Sequence, residues 1–170
     1  MNKKVIVMGH SYGGFVIQQY LSKFNNNNAD KFIITSSRLN MSLEMATNTK
    51  NLKPGRFKED GKTLIPFDQL EGDDKKFFEE TVEKRPIEII LAGYRTKERF
   101  TKSIKTSTLE NLLYVYALNN EQTGRLCDDE LNFLKERKAQ IFEISDDKED
   151  GHGAPFYSPH SEKIVEFMKR

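Results

Sequence analysis

The chain has 170 residues, enough to bury the core of one domain and too few for two sizeable ones, so a single domain over 1–170 is expected. Lysine and arginine number 27 against 26 aspartates and glutamates, a balance that argues against a nucleic-acid partner. With 36% hydrophobic and 31% charged residues the chain is more polar than an ordinary domain, and Cys127, its only cysteine, excludes an intrachain disulfide and reads as a quiet structural thiol.

After the basic start Met1 to Lys4, the apolar stretch Val5 to Met8 is too short for a signal-peptide core or a membrane span, so a soluble, cytoplasmic protein is expected. The same run is rich in β-branched residues and suits a strand buried on both faces of a parallel sheet. A sharp glycine-rich turn follows. Phe15, Val16, Ile17, Tyr20 and Leu21 then recur at helical spacing up to Lys23 and the Asn25 to Asn28 run. Lys31 to Thr35 reads as a second strand, which completes a βαβ unit.

From Leu39 to Lys84 the periodicity is lost, and Pro54, Gly55, Gly61, Pro66 and Gly72 accumulate with charge, as in an irregular insertion with short helices. Asp73 to Glu83 fits a helix, whereas Ile87 to Leu91 fits either a helix or a strand. The basic residues Arg95, Lys97, Arg99, Lys102 and Lys105 read as a solvated helix face, with an anionic ligand as the alternative. A third strand is expected at Leu112 to Leu118, a helix at Asp128 to Lys138 with Asp128 as its cap, a fourth strand at Gln140 to Ile144, and a closing helix at Ser161 to Met168. Strands alternating with helices imply an α/β fold with a mostly parallel sheet flanked by helices.

Gly9, His10, Ser11, Tyr12 and Gly13 satisfy G-x-S-x-G, with an apolar strand before the motif and an amphipathic helix after it. Small residues beside Ser11 let the chain turn tightly enough to expose the hydroxyl, and the helix N-terminus favours negative charge developing there. The competing reading is a glycine-rich turn whose serine only caps the helix. The run VIVMGHSYGGFVIQQYL resembles the nucleophile elbow of the α/β-hydrolase superfamily, extra glycine included.

That resemblance implies a serine nucleophile, a histidine base and an acid that orients the histidine. His10 is expected to point away from Ser11 and serve packing, and His160, at the entry of the last helix, a capping or surface role. GHGAPFYSPHSEKIVEFMKR looks like the family's catalytic histidine loop, which assigns the base to His152 rather than to a solvated loop position. For the acid, NLLYVYALNNEQTGRL aligns Glu121 best with the family's aspartate. Asp128 and Asp129 are alternatives, and Asp146, Asp147 and Asp150 closely precede His152. The order Ser11, Glu121, His152 agrees with the serine, acid, histidine order of the superfamily.

The resemblance covers residues 1 to 37 and about 109 to 170, while 38–108 takes the place of the variable cap. It therefore implies a truncated α/β-hydrolase-like fold, since the strands that usually precede the elbow have no counterpart here. The amide of Tyr12 can supply one oxyanion donor, but the second has no source in the chain, and one missing donor costs about 100- to 1000-fold in rate. An exposed sheet edge would also invite a homodimer or a missing amino-terminal segment.

The expected function is hydrolysis of a small-molecule ester, thioester or amide through an acyl-enzyme on Ser11. The alternative is a catalytically impaired hydrolase-like domain with a binding or interaction role. An accidental elbow on a flavodoxin-like or Rossmann fold ranks third, because no phosphate-binding glycine fingerprint is present. No pair of histidines has zinc-site spacing, and no cofactor is expected.

Overall fold

The computed structural model describes residues 3–24, 29–39, 55–82, 108–145 and 151–170, with the single positions 44, 47, 48, 51 and 53. In chain order these form β1 (Ile6–His10), α1 (Tyr12–Lys23), β2 (Lys31–Thr35), β3 (Arg56–Phe57), β4 (Leu64–Ile65) and α2 (Gly72–Val82). Then come β5 (Leu112–Ala117), α3 (Asp128–Glu136), β6 (Gln140–Ile144) and α4 (His160–Lys169), with short 3₁₀ turns at Phe67–Gln69 and Ala154–Phe156.

Among the described residues the main sheet has four parallel strands in the order β1, β2, β5, β6. Its register sets Met8 opposite Ile33, Ile33 opposite Leu113 and Val115 opposite Phe142. Because every strand runs the same way, Ser11, Ser36 and the 118–121 loop all leave the sheet at one edge, the carboxyl ends of the strands. The four strands read from apolar runs are the four of this sheet, and the α/β class with a parallel sheet holds.

Side chains alternate between two covered faces. Leu112, Tyr114 and Tyr116 of β5 pack with Ile17 and Leu21 of α1 and Leu134 of α3. Leu113, Val115 and Ala117 point the other way, against Ile164 and Phe167 of α4. All six residues of β5 are buried, as a continuous apolar run in a doubly covered parallel strand should be.

Helix α3 starts as expected at Asp128, but its cap is Cys127 rather than Asp128. Glu130 is the reason. Its fully buried carboxylate reaches back to the Cys127 amide (2.8 Å), accepts from the Leu39 amide (2.8 Å) and pairs with Arg38 (2.9 Å). That leaves Asp128 in the first turn, where a carboxylate still favours the helix N-terminus.

The described part of the insertion is more ordered than its composition suggests. It carries the antiparallel β3–β4 hairpin and α2, and the hairpin's turn is tied by Asp60, which accepts from the Lys62 and Thr63 amides at 2.8 Å and from the Thr63 hydroxyl at 2.6 Å. The hairpin docks on the loop after β5 through Phe57 N to Glu121 O (2.7 Å) and Arg125 N to Gly61 O (2.8 Å). The Ile87 to Leu91 segment, the basic cluster from Arg95 to Lys105 and the acidic run 146–150 lie outside the described residues. No helix among the described residues is long and apolar enough to cross a membrane.

Candidate active site

Ser11 sits between the end of β1 and the start of α1 with φ 52° and ψ −116°. Positive φ is costly for a residue with a Cβ, of the order of 1–3 kcal/mol, and such strain persists only where neighbours enforce it. Two backbone bonds do so here: the Ser11 amide donates to Thr35 O (2.9 Å), and its carbonyl accepts from the Gly14 amide (3.0 Å).

The glycines of the turn are not equivalent. A Cβ on Gly9 would lie 2.3 Å from Gly13 O, and one on Gly14 would lie 2.5 Å from the Ser37 Cβ, so both let α1 approach the sheet. A Cβ on Gly13 would meet nothing within 4 Å. The extra glycine of the sequence, Gly14, is thus a packing requirement, whereas Gly13 faces open space. Tyr12 opens α1, and its N–H is among the first-turn donors that have no carbonyl one turn earlier.

His152 lies in the loop before the Ala154–Phe156 turn and is buried, 8% exposed. Its carbonyl accepts from the Ser36 hydroxyl (2.7 Å), and Ser36 O accepts from the Thr123 hydroxyl (3.3 Å), which ties the histidine loop to the ends of β2 and β5. Close approach also explains Gly151: a Cβ there would lie 2.4 Å from Asn119 Oδ1. The His152 ring packs on that of His10, with centroids 4.7 Å apart, and His10 in turn contacts Phe156 at 4.7 Å and the Thr35 hydroxyl at 3.0 Å. His152 is thus seated against the residue that precedes Ser11, at the carboxyl edge of the sheet.

Asn120 Oδ1 lies 3.3 Å from His152 Nδ1, and Asn120 is 1% exposed. Glu121 is turned the other way, into the hairpin, where its carboxylate meets Arg56 at 2.7 Å. Arg56 also pairs with Asp74 of α2. Asp128 lines a separate cavity with Tyr116, Arg125 and Glu143, and Asp129 is exposed in the first turn of α3. The structure thus packs His152 on His10, the residue before Ser11, and directs Glu121, Asp128 and Asp129 elsewhere. Asn120 carries no carboxylate to mark it as a triad acid; its signal in the sequence is position alone, three residues past the end of β5.

His160, expected in a capping or surface role, is instead buried at 8% exposure with its ring 5.9 Å from Phe142. Cys127 is exposed overall, yet burial of its sulfur pushes the thiol above its ordinary pKa, which does not favour a thiolate nucleophile. Among the described residues no group of three or more His, Cys, Asp or Glu side chains could hold a metal ion.

No family model and no curated protein matches this chain by sequence. Solved structures do match its fold. An α/β-hydrolase enzyme from a Medee basin deep-sea metagenome library superposes with a TM-score of 0.52 at 15% identity, over 98% of this chain and 66% of its own. A bromoperoxidase from Bacillus anthracis gives 0.52 at 14%, over 99% and 68%. A thermophilic esterase gives 0.55 at 17%, over 98% and 66%. The chain thus has the α/β-hydrolase fold and spans about two thirds of the length of these proteins.

Proposed function

From a chain with the α/β-hydrolase fold, we propose a serine hydrolase that cleaves a small-molecule ester, thioester or amide through an acyl-enzyme on Ser11. The observation that carries this reading is Ser11 itself, a non-glycine residue held at φ 52° on a strand-to-helix turn, directly after His10, whose ring packs on that of His152. A serine that only capped the helix would not need that backbone strain, and Ser11 makes no side-chain capping bond to α1.

In this mechanism Ser11 Oγ attacks the substrate carbonyl carbon while His152 Nε2 takes its proton. The oxyanion that forms accepts from the Tyr12 amide at the positive end of α1. Collapse of the tetrahedral intermediate breaks the bond to the leaving group, which takes the proton from His152. Water then attacks the acyl-enzyme, with His152 again as base, and releases the acid and free Ser11. Residues 38–108 act in this reading as a cap within one domain, with Phe57 and Leu64 of the hairpin packed on Phe15 of α1, one turn beyond the nucleophile.

Covalent labelling with a fluorophosphonate probe tests the proposal. The wild-type chain is expected to label at Ser11, and Ser11→Ala and His152→Ala to lose labelling. A folded wild-type chain that does not label would overturn catalysis by this chain and favour the second reading, a hydrolase-like domain with a binding role. That second reading is favoured by one observation: a neutral amide, that of Asn120, lies at His152 Nδ1. A homodimer closing the β1 edge belongs to the proposal as well, and sedimentation velocity over a range of concentrations would show it or exclude it.

A further inference from the structure

We infer that Asn120 is the positioning residue of this site, a neutral amide that fixes His152 in the tautomer with the proton on Nδ1 and the lone pair on Nε2. The catalytic meaning of this inference rests on the proposed serine hydrolase; the tautomer does not.

An asparagine beside a histidine is ambiguous in general, because its oxygen and nitrogen can exchange places and select opposite tautomers. Here the ambiguity is removed by the backbone. The amides of Gln122 and Thr123 both point at Asn120 Oδ1, each at 3.1 Å, in a turn that the side chain closes on its own main chain. Backbone N–H groups only donate, so the atom they meet is an acceptor and must be the oxygen. Flipping the amide would set two N–H groups against an NH₂ at a site that is 1% exposed.

His152 Nδ1 lies 3.3 Å from that same oxygen, so Nδ1 must carry the proton. A neutral imidazole has one N–H, which leaves Nε2 as the acceptor that a serine base requires. This inverts the usual outcome of placing an amide at a triad acid position, where the wrong tautomer is selected and the rate falls about 10⁴-fold. What the amide cannot do is stabilise the imidazolium as a carboxylate would.

Among the described residues, the titratable group that faces the ring is His10 on β1, at 4.7 Å between centroids, while Glu121, next to Asn120 in the chain, is paired with Arg56. Residues Asp146 to Asp150, just before Gly151, lie outside the described residues. The measurement must therefore resolve single rings, which long-range ¹H–¹⁵N correlation spectra of ¹⁵N-histidine-labelled protein do.

At a pH where His152 is neutral, the wild type and Asn120→Asp should both show Nδ1 protonated and Nε2 bare, and Asn120→Leu should lose that preference. In parallel, Asn120→Asp should label with fluorophosphonate about 10-fold faster near neutrality, its pH profile displaced upward by about one unit as the new carboxylate favours the imidazolium. Asn120→Leu should label at least about 10-fold more slowly. A wild-type His152 protonated on Nε2, or an Asn120→Leu protein with an unchanged tautomer, would overturn the inference. If Asn120→Leu does not fold, the wild-type tautomer and the Asn120→Asp profile still decide it. A wild type with the Nδ1 proton in place but no labelling would sink the hydrolase reading and leave the role of Asn120 standing.

Discussion

β5 and β1 are both apolar strands of one parallel sheet, and each delivers half of the proposed site. β5 leads into Asn120 and the loop that receives His152; β1 ends on Ser11. Every residue of β5 is buried between α1 and α3 on one face and α4 on the other. In β1 only Gly9 is fully buried; Val7 and Met8 are each 37% exposed, and Val7 lines a groove with Val5, Val16 and Tyr20. The His152 half of the proposed site therefore stands on finished packing, and the Ser11 half on an edge whose apolar surface still meets water. The strain at Ser11 is held by the close contact of β1 with α1 and by two backbone bonds rather than by burial of the strand that carries it.

The largest effect should come from the centre. Leu112→Ala removes a side chain with no exposed surface and should cost about 3 kcal/mol. Val7→Ala at the edge should cost less than about 1 kcal/mol, because much of its apolar area is already hydrated. Urea unfolding monitored by circular dichroism gives both values. Equal losses at the two positions would break the comparison and show that the β1 edge is covered in solution.

The two halves also differ in how far the sequence discloses them. β1, α1 and the elbow are legible because local chemistry determines them: a β-branched run, then small residues, then helical periodicity, all within 20 positions. The acid position is not, because it depends on which of several polar groups in the loop 119–123 turns toward β6. Glu121 aligns better with the family pattern, yet the Arg56 guanidinium of the hairpin takes its carboxylate, a contact over 65 positions that no local pattern announces. The hairpin was equally hidden, since two-residue strands leave no alternation to detect and Asp60 rather than hydrophobicity shapes the turn. The cap of α3 moved by one residue for a similar reason, because Glu130 satisfies Leu39 from far along the chain.

A smaller effect separates the two glycines of the elbow. Gly9→Ala would drive a methyl into the Gly13 carbonyl and push α1 away from β1, so fluorophosphonate labelling should fall about 100-fold, the scale of a misplacement near 1 Å. Gly13→Ala has open space and should label within a few-fold of wild type while the fold is unchanged. Comparable losses in both variants would mean that the serine's geometry is not maintained by strand-to-helix contact, and the account of the edge half would need another source of restraint.

The smallest effect belongs to the hairpin that leans on the β5 side. The Thr63 hydroxyl and amide bonded to Asp60 hold its carboxyl below the ordinary value of 3.8, so the folded state prefers the ionised form. That preference stabilises the turn above the unfolded-state value and is lost as pH falls through the lower folded-state value. Asp60→Asn should therefore lower the thermal midpoint slightly at about pH 6, and the gap between variant and wild type should close at about pH 2. The side chain is exposed, so screening keeps the shift small and salt should reduce it further. A gap that persists unchanged in acid would assign the turn to the geometry of the side-chain oxygen rather than to its charge. The hairpin would then be fixed to the β5 loop by shape alone, through the backbone bonds of Phe57 and Arg125.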